Sequence, residues 1–362
     1  MVNNLPRWRG FNLLDMYIFE TGREAIRAGD TTGPGGYGGG EGDFRESDFD
    51  ITAGWGFDFL RIPLDYRYWT QEVTRSAEHP TGWMPRDQVL QRLDRALRLC
   101  SERNMHLSLS LHRAPGYCVN PPAEPSSLWT DPLQQQRFVE QWELFATRYR
   151  GIPRERLSFD LVNEPPAVGL GGLLTGSGAS RASHERIIRG AVAAIAAIDP
   201  ARRILANGLN YGNEPMPEFA DLAPRLAQSC RAYLPFGVTH YKAHWVRYPW
   251  LRKPRWPGGD HFGRRFDLHD LEAHYARWTA LFTRGIGVHC GEGGVFNQTP
   301  HGVAHAWMRD TLGLLKRLGI GWALWNLRGD FGPLDNRRPD TPTEPHHGSQ
   351  LDRAMLEILQ SS

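Results

Sequence analysis

Acidic residues follow two of the short apolar runs in this sequence. Asn163 and Glu164 come directly after the run LSFDLV, and Glu292 comes two residues after the run IGVHC. Two carboxyl groups that flank one bond can supply a general acid and a nucleophile or base, which is what cleavage of a glycosidic acetal requires. The same two glutamates could instead be structural acids held in salt bridges, so the elements that position them decide between the two interpretations.

Eight short, nearly continuous apolar runs have the character of strands that are buried on both faces. They cover residues 8–14, 56–64, 105–111, 157–162, 202–208, 236–241, 286–290 and 321–325. Helical patterns lie between them, at 44–54, 86–103, 132–149, 183–198, 216–228, 268–284, 303–318 and 350–359. This alternation predicts an α/β fold, a closed (β/α)8 TIM barrel with long βα loops, and leaves an open doubly wound sheet as the alternative.

Length and composition fit one catalytic domain over residues 1–362, because no interior linker or charge run marks a boundary. The net charge of +2 gives no attraction to nucleic acid or to an anionic membrane, so neither is a predicted partner. The most apolar stretch, GAVAAIAAI, is too short to span a bilayer. MVNNLPRWRG lacks a signal-peptide core, which predicts a cytoplasmic protein, or a secreted one if a signal has been removed.

No cofactor or metal is predicted. The 4 cysteines form no CxxC pair and are expected to be buried thiols. The segment GPGGYG (33–38) matches a dinucleotide motif only formally, because it does not join a strand to a helix. His240 and His244 form HxxxH at a strand end, where this spacing does not place both side chains on one face.

In a barrel of this kind, active-site groups come from the carboxyl ends of the strands. Polar and aromatic residues gather at the predicted strand ends, and these are the candidate site residues Arg61, His112, Asn163, Glu164, His240, Tyr241, Glu292 and Trp325. The glutamates of the fourth and seventh strands should face each other across the mouth. Cys290, two residues before Glu292, is expected on the same strand face as Glu292.

LSFDLVNEPP resembles the fourth-strand signature of glycoside hydrolase family 5, the cellulase-like barrels of clan A. RGFNLL, GFDFLRIPL, SLHRAPGY, VHCGEGGV and WALWNLRGDFGPLD resemble other strand ends of the family in the same order, so the resemblance extends along nearly the whole chain. It implies a retaining mechanism, in which Glu164 is the acid/base and Glu292 the nucleophile. The two carboxyl groups should then lie about 5–5.5 Å apart.

The resemblance also implies roles for the substrate-binding candidates. Arg61 would pair with Glu292, Asn163 would bind the sugar 2-hydroxyl, and Trp325 would form the floor under the reacting sugar. His112 and His240 would hold hydroxyls or orient the acids, and Tyr241 would place its hydroxyl on Glu292.

The sixth strand departs from the family, which shows His, one residue, then Tyr. In THYKAHW, matching Tyr241 puts Thr239 in the His position, and matching His240 puts Lys242 in the Tyr position. We prefer Tyr241 as the matched residue, which leaves the role of His240 in doubt.

The predicted activity is retaining hydrolysis of a β-linked glucan or related oligosaccharide, and an endo-β-1,4-glucanase is favoured. An exo-acting β-mannosidase or β-glucosidase is the alternative, because loops 29–43, 165–182 and 242–266 could close one end of the cleft. The third interpretation is a barrel that binds carbohydrate without catalysis. Tryptophans in loop-like segments are candidate sugar platforms, namely Trp69, Trp83, Trp129, Trp245, Trp250 and Trp256. The sequence leaves the oligomeric state open.

Overall fold

Eight parallel strands form the centre of the molecule in the computed structural model, which describes residues 2–17, 44–168, 178–246, 248 and 252–362. The barrel strands are β1 Arg9–Asn12, β2 Phe59–Asp65, β3 His106–Ala114, β4 Leu157–Asp160, β5 Arg203–Asn207, β6 Leu226–Ala232, β7 Val288–Gly293 and β8 Gly321–Leu324. Each strand pairs in parallel with the next, and β8 pairs with β1. The sheet is therefore closed, and the predicted TIM barrel is confirmed over the open sheet.

Among the described residues, seven long helices surround the strands, as amphipathic patterns between buried strands require. They are α1 Glu46–Gly54, α2 Asp87–Glu102, α3 Pro132–Arg148, α4 Arg181–Ile198, α5 Leu268–Thr279, α6 His301–Arg317 and α7 Arg353–Ser361. A 3₁₀ turn, Ala280–Arg284, continues α5. Short helical turns and two-stranded hairpins fill the connections, at Tyr66–Tyr68, Thr70–Glu72 with Trp83–Pro85, Leu209–Gly212, Pro217–Leu222, Phe236–Thr239, Gly259–His261 with Arg264–Phe266, and Glu344–His346 with Ser349–Leu351. The pair Tyr117–Cys118 runs antiparallel to β3.

The sequence prediction misplaced the sixth strand and the helix predicted just before it. The strand is Leu226–Ala232, whereas the predicted strand 236–241 contains the short helix Phe236–Thr239, which begins after Pro235. The predicted helix 216–228 was also wrong, because a 3₁₀ turn over Pro217–Leu222 precedes the strand. The strand carries polar residues that the barrel buries, and Gln228 is satisfied by both backbone groups of Met216, so an apolar run does not mark it.

The two ends of the barrel differ in polarity. The amino-terminal end is closed by an apolar cluster that consists of Leu5, Trp8, Phe59, Leu205, Ala227 and Ala323. The ring of Trp8 stacks on that of His106 with centroids 3.7 Å apart. The carboxyl end holds buried polar side chains instead, and this is the end at which barrel enzymes place their sites.

Several smaller predictions can be checked in the described residues. The four cysteines are free and buried, as expected. Trp69 and Trp129 are core residues and not exposed platforms, and the indole of Trp69 donates to Gln141 at 2.7 Å. The whole loop 29–43, which includes residues 33–38, and Trp250 lie outside the described residues. None of the helices in the described ranges is both long and apolar enough to cross a lipid bilayer.

Candidate active site

A buried arginine joins four strand ends at the mouth of the barrel. Arg61, on β2, donates to Glu292 Oε1 at 2.7 Å, to Asp160 Oδ2 at 2.8 Å, and to Asn163 Oδ1 at 2.9 Å. It also donates to Asn12 Oδ1 at 2.9 Å, and its side chain is 1% exposed. The predicted pairing of Arg61 with Glu292 is therefore present, and the same guanidinium fixes the amide of Asn163.

Glu292 reaches the mouth because β7 contains a bulge. Cys290 pairs with Cys230 of β6, whereas Glu292 pairs with Arg231, so Gly291 is the additional residue. The bulge changes the alternation. Glu292 therefore faces the barrel interior, and Cys290 faces the helices, where it lines a cavity with Trp307; the expectation of a shared face was wrong. A Cβ on Gly291 would lie 2.5 Å from Ser229 Oγ, which explains the glycine.

The tyrosine hydroxyl on Glu292 belongs to Tyr233. It donates to Glu292 Oε2 at 3.3 Å from the end of β6. Burial and the charge of Glu292 raise the pKa of Tyr233 well above its usual value, so the hydroxyl remains a donor. Tyr241 was predicted in this position, but it follows the short helix Phe236–Thr239, and the tyrosine hydroxyl that contacts Glu292 is that of Tyr233. The error follows from the misplaced sixth strand.

A second buried arginine contacts both glutamates. Arg231, on β6, donates through Nε to Glu164 Oε1 at 2.8 Å and through Nη2 to Glu292 Oε1 at 3.3 Å. The same Nη2 donates to Asn163 Oδ1 at 2.6 Å and is hydrogen-bonded to Asn207 Oδ1. One guanidinium therefore brings the two carboxyl groups together. The sequence analysis expected the two glutamates to face each other but did not identify Arg231 as the residue that joins them.

Glu164 has a strained and well-anchored backbone. Its φ of 49° lies in the left-handed region, which non-glycine residues seldom adopt and which is found at functional sites. The backbone N–H of Glu164 donates to Asn207 Oδ1 at 3.0 Å, and its carbonyl accepts from the Tyr117 hydroxyl at 2.6 Å. The side chain is 15% exposed, compared with 4% for Glu292, so Glu164 is the carboxyl group that solvent can reach.

The pKa of Glu164 is raised to about 7. Burial is the largest cause, the charge of Glu292 adds to it, and Arg231 opposes both. The surrounding charges explain the direction, since the guanidiniums of Arg61 and Arg231 already face the carboxylates of Asp160 and Glu292. A further negative charge on Glu164 would be unbalanced in a buried network, so the proton is retained near neutral pH.

The side-chain amide of Asn163 is oriented to donate a hydrogen bond from Nδ2. Its Oδ1 accepts from Arg61 and Arg231, which fixes the orientation of the side chain. Its Nδ2 is buried, and within the described part of the chain it has no hydrogen-bond partner. Buried donors are normally paired, so an orphaned one at the mouth of a barrel is available to a ligand acceptor. This fits the predicted contact with a sugar hydroxyl.

An aromatic wall lies beside the carboxyl groups. The ring of Trp325 lies 5.4 Å from that of Tyr17 and 5.6 Å from that of His112. His112 is hydrogen-bonded through Nε2 to Asn120 Oδ1 at 2.8 Å, and burial lowers its pKa well below the usual value, so the ring is neutral. Its buried Nδ1 has no partner among the residues that the structure describes. Trp325 is 3% exposed, so it presents only an edge to solvent.

His240 packs behind Tyr233 and is hydrogen-bonded to a protein group. Its ring stacks on Phe236 with centroids 4.5 Å apart and lies 5.1 Å from the ring of Tyr233. Its Nδ1 is hydrogen-bonded to Thr239 Oγ1 at 2.9 Å, and burial lowers its pKa to about 3. The structure therefore places this histidine against the tyrosine that contacts Glu292.

Sequence reasoning missed Arg231, Tyr233, Asp160 and Asn207. A signal for the first two was present, because Arg231-Ala232-Tyr233 has the spacing of the His-x-Tyr pattern with arginine in the histidine position. No local signal distinguishes Asp160 or Asn207. Asn207 Nδ2 donates to Asp160 Oδ1 at 2.6 Å, and this bond links two strands that are adjacent only in the folded barrel.

The chain is similar to known proteins of one family. The cellulase family, described as glycosyl hydrolase family 5, matches residues 29–330. Endoglucanase C of Acetivibrio thermocellus is 28% identical over 306 residues, which are 78% of this chain and 83% of that protein. Cellodextrinase A of Ruminococcus flavefaciens is 25% identical over 261 residues, 70% of this chain and 69% of that one.

Solved structures give the same result. A crystal structure described as a glycoside hydrolase is 39% identical, with a TM-score of 0.83 over 98% of this chain and 99% of that one. Cel5A of Thermotoga maritima with mannotriose is 19% identical, with a TM-score of 0.71 over 98% and 97%, and shows the shared fold. On the matching family and the closed barrel, the chain belongs to the cellulase family, glycosyl hydrolase family 5, and is a glycoside hydrolase.

Proposed function

We propose that this protein is a retaining β-glycoside hydrolase that cleaves internal β-1,4 bonds of a glucan chain. The observation that carries the proposal is the shared contact of Glu164 and Glu292 with the guanidinium of Arg231. Two carboxyl groups close enough to share one guanidinium suit double displacement, because inversion needs room for a water molecule between them. Similarity to endoglucanase C supports the choice of substrate.

In the first step, Glu292 attacks the anomeric carbon and forms a glycosyl ester. Glu164 donates its proton to the departing glycosidic oxygen, so the leaving group departs as an alcohol. A pKa of about 7 suits this task, because Glu164 is protonated near neutral pH and yet acidic enough to donate. Arg61, Arg231 and Tyr233 hold Glu292 in place for attack.

In the second step, water hydrolyses the ester. Once Glu292 bears the sugar, its negative charge is gone and no longer raises the pKa of Glu164, so burial is the remaining cause of the rise. Glu164 then ionises more readily and removes a proton from the attacking water. Its greater exposure gives that water access. The amide Nδ2 of Asn163 is the donor for the sugar 2-hydroxyl, a contact that strengthens in the transition state.

Hydrolysis of cellopentaose, followed by proton NMR and product chromatography, tests the proposal. We expect the new reducing end to appear first as the β-anomer, and the first products to be cellobiose and cellotriose. Early appearance of the α-anomer would contradict the retaining mechanism. Glucose as the only early product would show exo action instead of endo action. Turnover of β-mannosides without turnover of cellopentaose would show that the substrate is not a glucan. Binding of the sugar without cleavage would leave a carbohydrate-binding barrel.

A further inference from the structure

A cluster of metal-ligating side chains lies outside the carboxyl pair. His301 and His305 occupy the first and fifth positions of α6, so a spacing of four residues places both on one helix face. Asp352, the N-cap of α7, meets them from the end of the chain. The candidate ligand atoms, His301 Nε2, His305 Nε2 and a carboxylate oxygen of Asp352, all lie within 4.8 Å of one another.

The separations are those between ligands of one metal ion. Asp352 Oδ2 lies 3.4 Å from His301 Nε2 and 3.6 Å from His305 Nε2. Ligands about 2.0–2.1 Å from a tetrahedral Zn²⁺ are about 3.3 Å apart along each edge. Charge-assisted hydrogen bonds between these atoms would instead be about 2.7–2.9 Å long. Within the cluster, His301 Nε2 makes one long hydrogen bond, to Asp352 Oδ1 at 3.5 Å. The separations therefore match shared ligation of an ion better than they match close hydrogen bonds.

His305 supplies an independent observation. Its side chain is 6% exposed, and the buried Nε2 is aimed into the cluster without a hydrogen-bond partner anywhere in the described ranges. A buried imidazole nitrogen without a partner is costly, and metal ligation would satisfy it. His301 is 18% exposed and leaves a route from solvent for an ion and for a water molecule as fourth ligand.

Outer contacts orient the carboxylate of Asp352. Its Oδ1 accepts the N-cap bond from the Met355 backbone at 2.9 Å, and its Oδ2 also accepts from Asn336 Nδ2 at 3.3 Å. The backbone N–H of His301 donates to Asp340 Oδ2 at 2.9 Å. Partners of this kind, which hold ligands in orientation, accompany metal sites. The sequence analysis predicts no metal and did not single out these three residues. Asp352 is distant from the two histidines along the chain.

We propose that His301, His305 and Asp352 bind one Zn²⁺ ion that fastens the segment after β7 to the segment after β8. Those segments already contact each other, since Asn297 donates to Asp330 Oδ1 at 2.9 Å and Arg338 donates to the carbonyl of Val295 at 3.0 Å. An ion at their junction would hold the loop that follows Glu292 against the loop that follows Trp325. Its role is structural, because binding free energy gained only in the folded state stabilises that state.

Metal content after chelator dialysis and addition of Zn²⁺ alone tests the proposal, with unfolding temperature as a second readout. We expect one bound Zn²⁺ per chain and an unfolding temperature that rises with Zn²⁺ and falls on chelation. His301→Ala and Asp352→Asn should each lose the ion and the temperature response. His269→Ala, which removes an exposed histidine of α5, is the matched control and should keep both. Equal Zn²⁺ binding by His301→Ala, or none by the unaltered protein, would overturn the proposal.

Asp352→Asn also weakens the N-cap of α7, so that variant can fail to fold. Substitution of Co²⁺ into the unaltered protein avoids this problem. Intense visible absorption at one equivalent, the signature of tetrahedral Co²⁺ with nitrogen ligands, is expected. The weak absorption of octahedral Co²⁺ would contradict the site. Neither readout depends on glycoside hydrolysis, so failure here is distinguishable from failure of the proposed function.

Discussion

Glu164 and Glu292 contact the same guanidinium, but the rest of their surroundings differ. Glu292 lies within β7, is 4% exposed, and accepts hydrogen bonds from two arginines and Tyr233. Glu164 lies beyond the end of β4 in a left-handed conformation, is 15% exposed, and its carboxyl group contacts Arg231 alone of the two arginines. One carboxylate is immobilised and surrounded by cations, and the other is accessible and retains a proton near neutral pH. On that difference we propose Glu292 as the nucleophile and Glu164 as the acid/base.

Removal of the immobilised carboxylate should have the largest effect. Glu292→Gln is expected to lower kcat by at least about 10⁴-fold, since no covalent intermediate can form. Stopped assays on cellopentaose measure the loss. Glu140→Gln is the matched control, because Glu140 also accepts hydrogen bonds from neutral side chains but lies outside the site. Comparable turnover in Glu292→Gln would remove Glu292 from the mechanism.

Loss of the acid/base should depend on the leaving group. Glu164→Ala is expected to lower kcat/KM by about 10²–10⁴-fold on cellopentaose, because an alcohol leaves poorly without a proton. On a dinitrophenyl β-cellobioside, whose leaving group needs no proton, the first step should be much less affected. Azide should restore turnover and yield a β-glycosyl azide. Equal losses on both substrates, without rescue, would reverse the assignment of the two glutamates.

Arg231 is the residue that contacts both Glu164 and Glu292. Arg231→Met is expected to lower kcat by about 10²-fold, since it removes a charged donor from Glu292. Arg231 also opposes the rise in the pKa of Glu164, so its loss should move that pKa further upward. Glu164 must be protonated to act as an acid, so the alkaline limb of the kcat/KM profile should start near pH 7 and shift to higher pH. Arg202→Met, which removes a buried arginine paired with Asp199, is the control and should leave that limb in place.

Tyr233 should have the smallest effect. Tyr233→Phe removes one hydrogen bond of 3.3 Å, and a loss of about 1–1.5 kcal/mol corresponds to about a tenfold decrease in kcat. Tyr241→Phe should leave kcat unchanged. Steady-state kinetics on cellopentaose measure both. A larger loss in Tyr241→Phe than in Tyr233→Phe would mean that the hydroxyl on Glu292 had been assigned to the wrong tyrosine.

The comparison also shows where sequence reasoning succeeds. Glu164 lies beyond the end of one strand and Glu292 near the end of another, and both strands read as apolar runs. The barrel rule therefore located both glutamates, and Arg61 and Trp325 were found in the same way. The sixth strand buries Gln228, Ser229 and Arg231 instead. Gln228 is bonded to Met216 and Arg231 to Glu164, outside the strand, and the hydroxyl of Ser229 accepts from Arg231. An apolar pattern cannot detect such a strand, and both the arginine and the tyrosine were lost with it.

Backbone irregularities were the other limit. Strand alternation predicted Cys290 and Glu292 on one face, but the bulge at Gly291 separates them. The left-handed conformation of Glu164 likewise depends on Asn207 and Tyr117, which come from other elements. Local sequence therefore located the two glutamates that we propose as the reacting groups. The orientation of their side chains, their protonation and their supporting contacts depend on the closed barrel.

Covalent trapping tests the central claim most directly. A dinitrophenyl 2-deoxy-2-fluoro-β-cellobioside should transfer its sugar to the enzyme with release of dinitrophenolate. The fluorine slows both formation and hydrolysis of the ester, and the good leaving group speeds only formation, so the ester accumulates. Mass spectrometry of the digested protein should then find one fluorocellobiosyl group per chain, on Glu292. A label on Glu164, or no label in a preparation that hydrolyses the parent cellobioside, would contradict the account.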